Sequence, residues 1–436
     1  MVQTDRRTFI KQSVVASTSA AVLDRQSRSY ARPGSRKFSV ALLGCGGRGT
    51  FLAAQFNTQP DVEVTWVCDP DQSRLVRAHE MLGSTRFATS DFRNVFEDKA
   101  VDAVIVATPD HWHAPASILA CQAGKHVYVE KPCSHSIREG RFLVEAARKN
   151  KNVVQHGTQV RSTGMMIEAV ELLRKGLIGQ VLMSKAWNVQ RRRSIGHESP
   201  CDVPEGLDYD QWVGPAPMIP YQNNRVHHGW HWWYNFGTGD MGNDGVHDID
   251  YARWGLGVEG HPTTVTAQGG KYFFDDDQQF PDTQQVTFEY PGDGASGNRR
   301  MLIYEQRLWS TNHPRGVDSG VEFYGTKGLM FLSRRGLIEV FDERGQSVAV
   351  AVTPEPQNTD AHIADFIDCI RTGKKPNGDI HNGHLTTTLC HLGNIATRVG
   401  SALQFDPETE TITNNDQANR LVTRRYRDHW SVPRTM

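Results

Sequence analysis

The 436-residue chain lacks an excess of either charge: 48 lysines and arginines stand against 49 aspartates and glutamates. Proteins that hold nucleic acid or an anionic membrane surface rely on a basic excess, so neither is expected as a partner and a small uncharged ligand is. Cysteine is scarce and without pattern. Its seven copies stand singly, at Cys45, Cys68, Cys121, Cys133, Cys201, Cys369 and Cys390, with no CxxC. That argues against a disulfide framework and a zinc module. No set of histidines, cysteines and carboxylates has ligand spacing, so no metal is expected. Also missing are internal repeats, low-complexity tracts and an apolar run long enough to stay in a bilayer. A 38% apolar content supports globular packing, and this length calls for two cores.

What is present begins at the N-terminus. "TDRRTFIKQSVVASTSAAVL" pairs Arg6 with Arg7, follows them with Phe9, Ile10 and Lys11, and continues into a short, mildly apolar run. This is the pattern of a targeting segment. It resembles a twin-arginine export signal, whose receptor reads the arginine pair as an address. Residues 1–36 are therefore expected to be signal and linker, and the protein to be periplasmic or otherwise exported by the twin-arginine route.

From Lys37 the chain becomes periodic, and a first domain is expected over 37–157. "FSVALLGCGGRG" is an apolar strand running into Gly44-x-Gly46-x-x-Gly49, with a helical stretch after it. The glycines permit a tight turn, close approach of backbone to a pyrophosphate, and close packing of helix on strand. A second strand, "VEVTWVC", ends at Asp69, 20 residues beyond Gly49. A carboxylate there accepts hydrogen bonds from ribose hydroxyls and repels a 2′-phosphate, which favours NAD over NADP; Arg74 in the next helix is the one feature that pulls the other way. "DAVIVATPDHWH" and "HVYVEKP" end two more buried strands, with helical segments between and after. Alternating strands and helices imply an α/β doubly wound parallel sheet, which binds ligands outside the carboxyl ends of its strands. Thr108, Pro109, Asp110, His113, Glu130 and Lys131 therefore join Gly44, Gly46, Gly47, Arg48, Gly49 and Asp69 as the expected cofactor-binding set.

These residues carry a resemblance. The glycine turn, Asp69, "ATPDHWH" and above all "EKP" are similar to the glucose-fructose oxidoreductase/inositol dehydrogenase (Gfo/Idh/MocA) family, over essentially the whole chain after the signal. The resemblance implies a Rossmann domain followed by an α+β domain with a large open, mostly antiparallel sheet. It also implies a homodimer or homotetramer formed through that sheet, and contact of Lys131 with the nicotinamide and the reacting hydroxyl.

The second domain is expected over 158–436. "RVHHGWHWWYNFGTGDMGNDGVHDIDYARWGLG" is dense in histidine and tryptophan. Aromatic faces stack on sugar rings and polar side chains meet hydroxyls, so His228 and Trp230 are candidate substrate contacts, with Arg161 of "QVR" near the domain junction. Asn243, Asp244 and His247 follow at spacings that can share one helix face. The family commonly has Asp and His four apart here; this chain has Asn243 in the Asp position and Asp244 beside it. His247 is left as the candidate base, with Asn243 and Asp244 as substrate contacts. Asp248 and Asp250 are expected to cap or to pair with Arg253. From Thr263 to Val350 short alternating runs read as antiparallel strands, and two helices follow, in which His384 and His391 read as packing residues.

The expected activity is hydride transfer between NAD and a secondary hydroxyl of a sugar, glycoside or cyclic polyol. His247 takes the hydroxyl proton and Lys131 holds the oxygen. An exported enzyme cannot draw on a cytoplasmic nicotinamide pool, so tightly bound, recycled NAD is expected. Two alternatives stand beside it: a redox-neutral cycle in which transient oxidation labilises a glycosidic bond, and a sugar-binding protein with a vestigial dinucleotide site.

Overall fold

The computed structural model describes residues 36–292 and 298–427; the expected export segment lies outside them. Strands β1 (Phe38–Leu43), β2 (Val62–Cys68), β3 (Phe87–Thr89), β4 (Ala103–Val106), β5 (His126–Val129) and β6 (Val154–His156) form one sheet in the order β3-β2-β1-β4-β5-β6. Every register recorded for it is parallel, as in Val104 opposite Val127. β4 is "AVIV" without a polar residue and fully buried, as a strand covered on both faces should be. Each such valine or isoleucine contributes about 1.5–3 kcal/mol by leaving water. The helices that position the site follow these strands: α1 (Gly47–Asn57) after β1, α2 (Asp110–Gln122) after β4, and α3 (Ile137–Lys149) after β5.

Among the described residues the second sheet has nine strands: β7 (Val181–Asn188), β8 (Thr264–Gly270), β9 (Thr283–Tyr290), β10 (Arg300–Arg307), β11 (Ser319–Gly325), β12 (Gly328–Ser333), β13 (Leu337–Asp342), β14 (Leu403–Asp406) and β15 (Thr411–Ile412). Their order is β13-β12-β11-β7-β10-β9-β8-β14-β15, antiparallel throughout except for β7 beside β10. One face packs on helices α4 (Val246–Leu256) and α5 (Ile380–Val399). Ile249, Ala252, Phe288, Leu302, Tyr304, Phe323 and Leu389 are wholly or almost wholly buried in that layer. Alternation along β10 sends Leu302, Tyr304 and Gln306 inward and leaves Ile303, Glu305 and Arg307 half-buried on the other face. Tyr304 is thus a core residue bonded to Gln306, and Arg307 pairs with Glu305.

A third cluster is aromatic. Tyr209, Trp212, Tyr221, Trp232, Trp233 and Phe236 pack together with Leu308, so much of the segment expected to stack on sugar is core. The stretch 206–212, which belongs to this cluster, straps the first domain: Gln72 N donates to Gly206 O (2.9 Å), Asp208 N to Pro70 O (2.9 Å), and the His111 ring lies 2.9 Å from Trp212 O.

Candidate active site

The glycine turn is built as a phosphate cradle. Gly44 holds φ at +94°, and a Cβ there would stand 2.6 Å from the Ala107 carbonyl oxygen; a Cβ at Gly49 would stand 2.0 Å from the Gly44 oxygen. The first lets the chain leave β1 and the second lets α1 press against the turn. Gly46 precedes α1 and offers no side-chain cap, so the leading N–H groups of the helix remain for a pyrophosphate. At the end of β2, Asp69 is fixed by two backbone donors, Cys45 N (2.7 Å) and Asp71 N (2.9 Å). Burial pushes its pKa up to about 6, against the lowering effect of those donors. These residues fit NAD.

A pH prediction follows from Asp69. The carboxylate form accepts from ribose hydroxyls, and it is lost as pH falls through about 6. NAD affinity should therefore weaken below pH 6. Asp69→Asn should bind NAD more weakly at pH 7.5 and lose most of that pH dependence, as measured by calorimetric titration of cofactor-stripped protein. Asp110, also pushed up to about 6 by burial, accounts for any dependence that remains.

The ends of β4 and β5 form the floor. His113 places its ring nitrogens 2.8 Å from Thr108 O and 2.6 Å from Pro132 O, joining the two strand ends. Asp110 opens α2 and accepts from Thr238 Oγ1 at 2.6 Å. Glu130 Oε1 accepts from Arg48 Nε (2.9 Å) and Nη2 (2.7 Å) and from Gln159 (3.2 Å). Burial pushes that carboxyl up, but Arg48 and then Lys131 outweigh it, and its pKa lies below the usual value. Glu130 is an ionised strut that ties α1 to β5. The next peptide, Lys131–Pro132, is cis. Lys131 Nζ reaches across to the second domain and donates to Asn243 O (2.6 Å) and Asn243 Oδ1 (3.2 Å). Beyond it the chain is anchored on α5, where Cys133 N donates to Thr387 Oγ1 (3.3 Å) and the His391 ring lies 3.1 Å from Ser134 O.

A cavity of about 480 Å³ joins these parts. Of the expected cofactor set, Gly44, Gly46, Gly47, Arg48, Asp69, Thr108, Pro109, Asp110, His113, Glu130 and Lys131 line it; Gly49 does not, and serves packing. Of the expected substrate set, Asn243, His228 and Trp230 line it. Sequence reasoning missed Gln211, Trp212, His231 and Trp112 in its roof, and did not assign His227 a role there; Arg74, already weighed against NAD preference, lines it too. Arg74 stands close to the turn, 3.1 Å from where a Cβ on Gly46 would lie. The adjacency of Trp230 and His231 was a signal for the roof; nothing marked Gln211.

Of Asn243, Asp244 and His247, only Asn243 lines the cavity. Met241–Gly245 is a π-helical turn leading into α4. Asn243 faces Lys131, whereas Asp244 binds Arg192 and Arg334. Burial raises the Asp244 pKa, but Arg334 and Arg192 hold it well below the usual carboxylate range. His247 is 5% exposed and does not line the cavity, and among the described residues its Nδ1 is buried without a hydrogen bond. Burial, then Arg334 and Lys131, keep it neutral well below its ordinary pKa.

Arg161 departs from expectation. It lies in a buried ion pair, Nε to Asp250 Oδ2 at 2.7 Å and Nη2 to Asp250 Oδ1 at 3.0 Å, away from the cavity. Asp250 was expected to cap or to pair with Arg253, which instead binds Thr386, Asn382 and the Val258 carbonyl. Asp248 binds Tyr251 and Ser319. The fold also gathers His261, His384 and Glu410, whose ligand-type atoms lie within 4.8 Å of one another; their spread along the chain hid the group from a search by spacing. Glu410 Oε1 accepts from both imidazoles and from Arg141. A guanidinium on the shared oxygen opposes a cation, and the group reads as a buried carboxylate with its hydrogen bonds made.

Comparisons with known proteins agree with this architecture. Residues 38–158 match the oxidoreductase-family NAD-binding Rossmann fold (GFO_IDH_MocA), and residues 185–432 match the oxidoreductase-family C-terminal alpha/beta domain (GFO_IDH_MocA_C2). Scyllo-inositol 2-dehydrogenase (NAD(+)) of Bacillus subtilis is 26% identical over 77% of this chain and 87% of its own length. A glycosyl hydrolase family 109 protein of Stenotrophomonas maltophilia is 26% identical over 74% of this chain and 73% of its own. Among solved structures, levoglucosan dehydrogenase in complex with NADH and levoglucosan superposes with a TM-score of 0.65 at 19% identity, covering 84% of this chain and 99% of that one. Aldose-aldose oxidoreductase from Caulobacter crescentus, complexed with glycerol, gives 0.65 at 20% identity over 85% and 100%. At such identities the two structures speak for the fold alone. Its two domains, matched in order over most of its length, show that the chain belongs to the Gfo/Idh/MocA oxidoreductase family.

Proposed function

We propose that the protein oxidises a secondary hydroxyl of a sugar, glycoside or cyclic polyol with NAD as hydride acceptor, and that Lys131 is the residue at the reacting oxygen. One observation carries this reading: Lys131, at the carboxyl end of β5, meets Asn243 of the second domain inside the cavity that begins at the glycine turn. NAD would be held by the Gly44–Gly49 turn and Asp69, and when bound it supplies the acceptor for hydride. Lys131 would leave Asn243 for the substrate oxygen and stabilise charge developing there. His247 is proposed to take the hydroxyl proton; its imidazole is neutral and holds a lone pair, but it does not line the cavity, so this role requires bound substrate and His247 to come within reach of each other. Reduction of NAD by a panel of sugars, glycosides and polyols, followed at 340 nm, tests the reading. No activity across the panel, with sugar binding intact, would favour the sugar-binding alternative.

The cofactor is proposed to stay bound and be recycled. In support, the strap over the first domain is latched beside Asp69, with His227 Nε2 2.8 Å from Asp71 Oδ2. Protein purified without added nucleotide should release NAD on denaturation. His227→Ala should speed dissociation by about tenfold, measured by chasing bound NADH fluorescence with excess NAD. Purified protein free of nucleotide would overturn retention.

Export by the twin-arginine route is proposed from Arg6 and Arg7, and fractionation of cells making R6K/R7K is its test. A homodimer or homotetramer is proposed through the sheet face bearing Met183, Met301 and Ile303, with light scattering as the test. Relatedness to family 109 glycosyl hydrolases favours a second reading, a redox-neutral glycoside cleavage. Sugar released from a glycoside without net NADH would select it.

A further inference from the structure

The geometry points to His231 as a further substrate contact, its Nε2 accepting a hydrogen bond from a hydroxyl other than the one oxidised. This rests on the sugar or polyol reading and deepens it, because a second hydroxyl becomes part of what the site selects.

His231 belongs to the 3-10 turn Gly229–Trp232. Its Nδ1 lies 2.6 Å from the His228 carbonyl oxygen. A carbonyl only accepts, so Nδ1 carries the proton and Nε2 is the lone-pair nitrogen. Nε2 has no hydrogen bond among the described residues. The ring cannot easily swing away, because it stacks on Trp230 with centroids 3.6 Å apart and planes 18° apart. Trp230 is itself tied by Nε1 to His227 O at 3.1 Å.

His231 lines the cavity together with Lys131 and Asn243. Burial, and then the charges of Lys131 and Arg192, push its pKa down to about 3, against the pull of the His228 carbonyl. It therefore stays neutral over the working pH range. Its lone pair is thus a steady hydrogen-bond acceptor. Lys131 only donates. A fixed acceptor and a fixed donor in one cavity suit a molecule with two hydroxyls, one of which lies on the oxidised carbon. A monohydric alcohol satisfies only one of them, and leaving the other unmade costs affinity.

The test uses NAD-loaded protein labelled with 15N-histidine, titrated with scyllo-inositol, levoglucosan and D-glucose, and with 2-propanol as the monohydric control. His231→Phe keeps a ring without an acceptor, and His231→Gln keeps an acceptor near the Nε2 position. The Nε2 resonance should move upfield with at least one polyol and stay in place with 2-propanol. His231→Phe should raise KM for that polyol by about tenfold, more than it lowers kcat, and His231→Gln should recover most of the loss. Reduction of NAD with an unmoved Nε2 and an unchanged KM in His231→Phe overturns the contact and leaves the oxidoreductase reading standing. A moved Nε2 without reduction of NAD supports the contact and counts against the reaction. No movement with any of the three polyols overturns the inference.

Discussion

Lys131→Ala should lower kcat by about 10²–10³-fold while the protein still folds and still carries NAD. The separation is expected because of what Lys131 touches. Among the described residues its Nζ bonds only to Asn243, at the cavity wall, so losing it opens no hole in either core. The elements proposed to hold the pyrophosphate and ribose of NAD are elsewhere, in the glycine turn and at Asp69. What disappears is a donor aimed at the place where negative charge grows on the substrate oxygen. Single-turnover reduction of NAD, read at 340 nm, gives the rate, and nucleotide content and thermal midpoint give the controls. His247→Ala should also be slow, but with a different signature. Because burial and the neighbouring cations keep His247 neutral, the wild-type rate should not decline as pH falls from 8 through the ordinary imidazole value. A rate that falls along a titration near 6.5 would mean that another group supplies the base.

The features read correctly from sequence are those fixed over short spans. β1, the Gly44–Gly49 turn and α1 are contiguous, so a strand-turn-helix pattern places the cradle without knowledge of the rest. β4 and the Val127–Val129 part of β5 are buried and largely apolar because both faces are covered, and their ends therefore mark the crevice. Failures begin where a side chain chooses a partner far along the chain. Asp244 was grouped with His247 on helix spacing; its charge does act on His247, but Arg192 and Arg334 claim the carboxylate. The histidine and tryptophan-rich segment divides between uses that composition cannot separate: Trp232 and Trp233 are core, and Trp230 and His231 face the cavity. The convergence of His261, His384 and Glu410 has the same cause.

Arg161 is the sharpest such case, and it carries the largest expected effect on stability. Its side chain is 5% exposed and that of Asp250 is fully buried. Two hydrogen bonds join them, Thr386 Oγ1 supplies a third to the carboxylate at 2.7 Å, and the guanidinium lies over Trp254 with its carbon 5.1 Å from the ring centroid. Burial raises the Asp250 pKa, and Arg161 more than offsets it, leaving the net shift downward. A depressed carboxylate pKa contributes stability above the unfolded-state value and loses it as pH falls through the folded one, so the pair is fully in force at neutral pH. Arg161→Ala leaves the carboxylate buried without its counter-ion and should cost about 3–5 kcal/mol, read as a lower midpoint at an unchanged m-value in urea. Arg161→Leu combined with Asp250→Leu should be much closer to wild type than either change alone, since removing both charges also removes the cost of burying them. The sugar KM of the folded Arg161→Ala protein should stay within about twofold, because a change in KM of that size is well under 1 kcal/mol of binding free energy. A KM raised tenfold at unchanged stability would instead return Arg161 to the substrate, where sequence reasoning first put it.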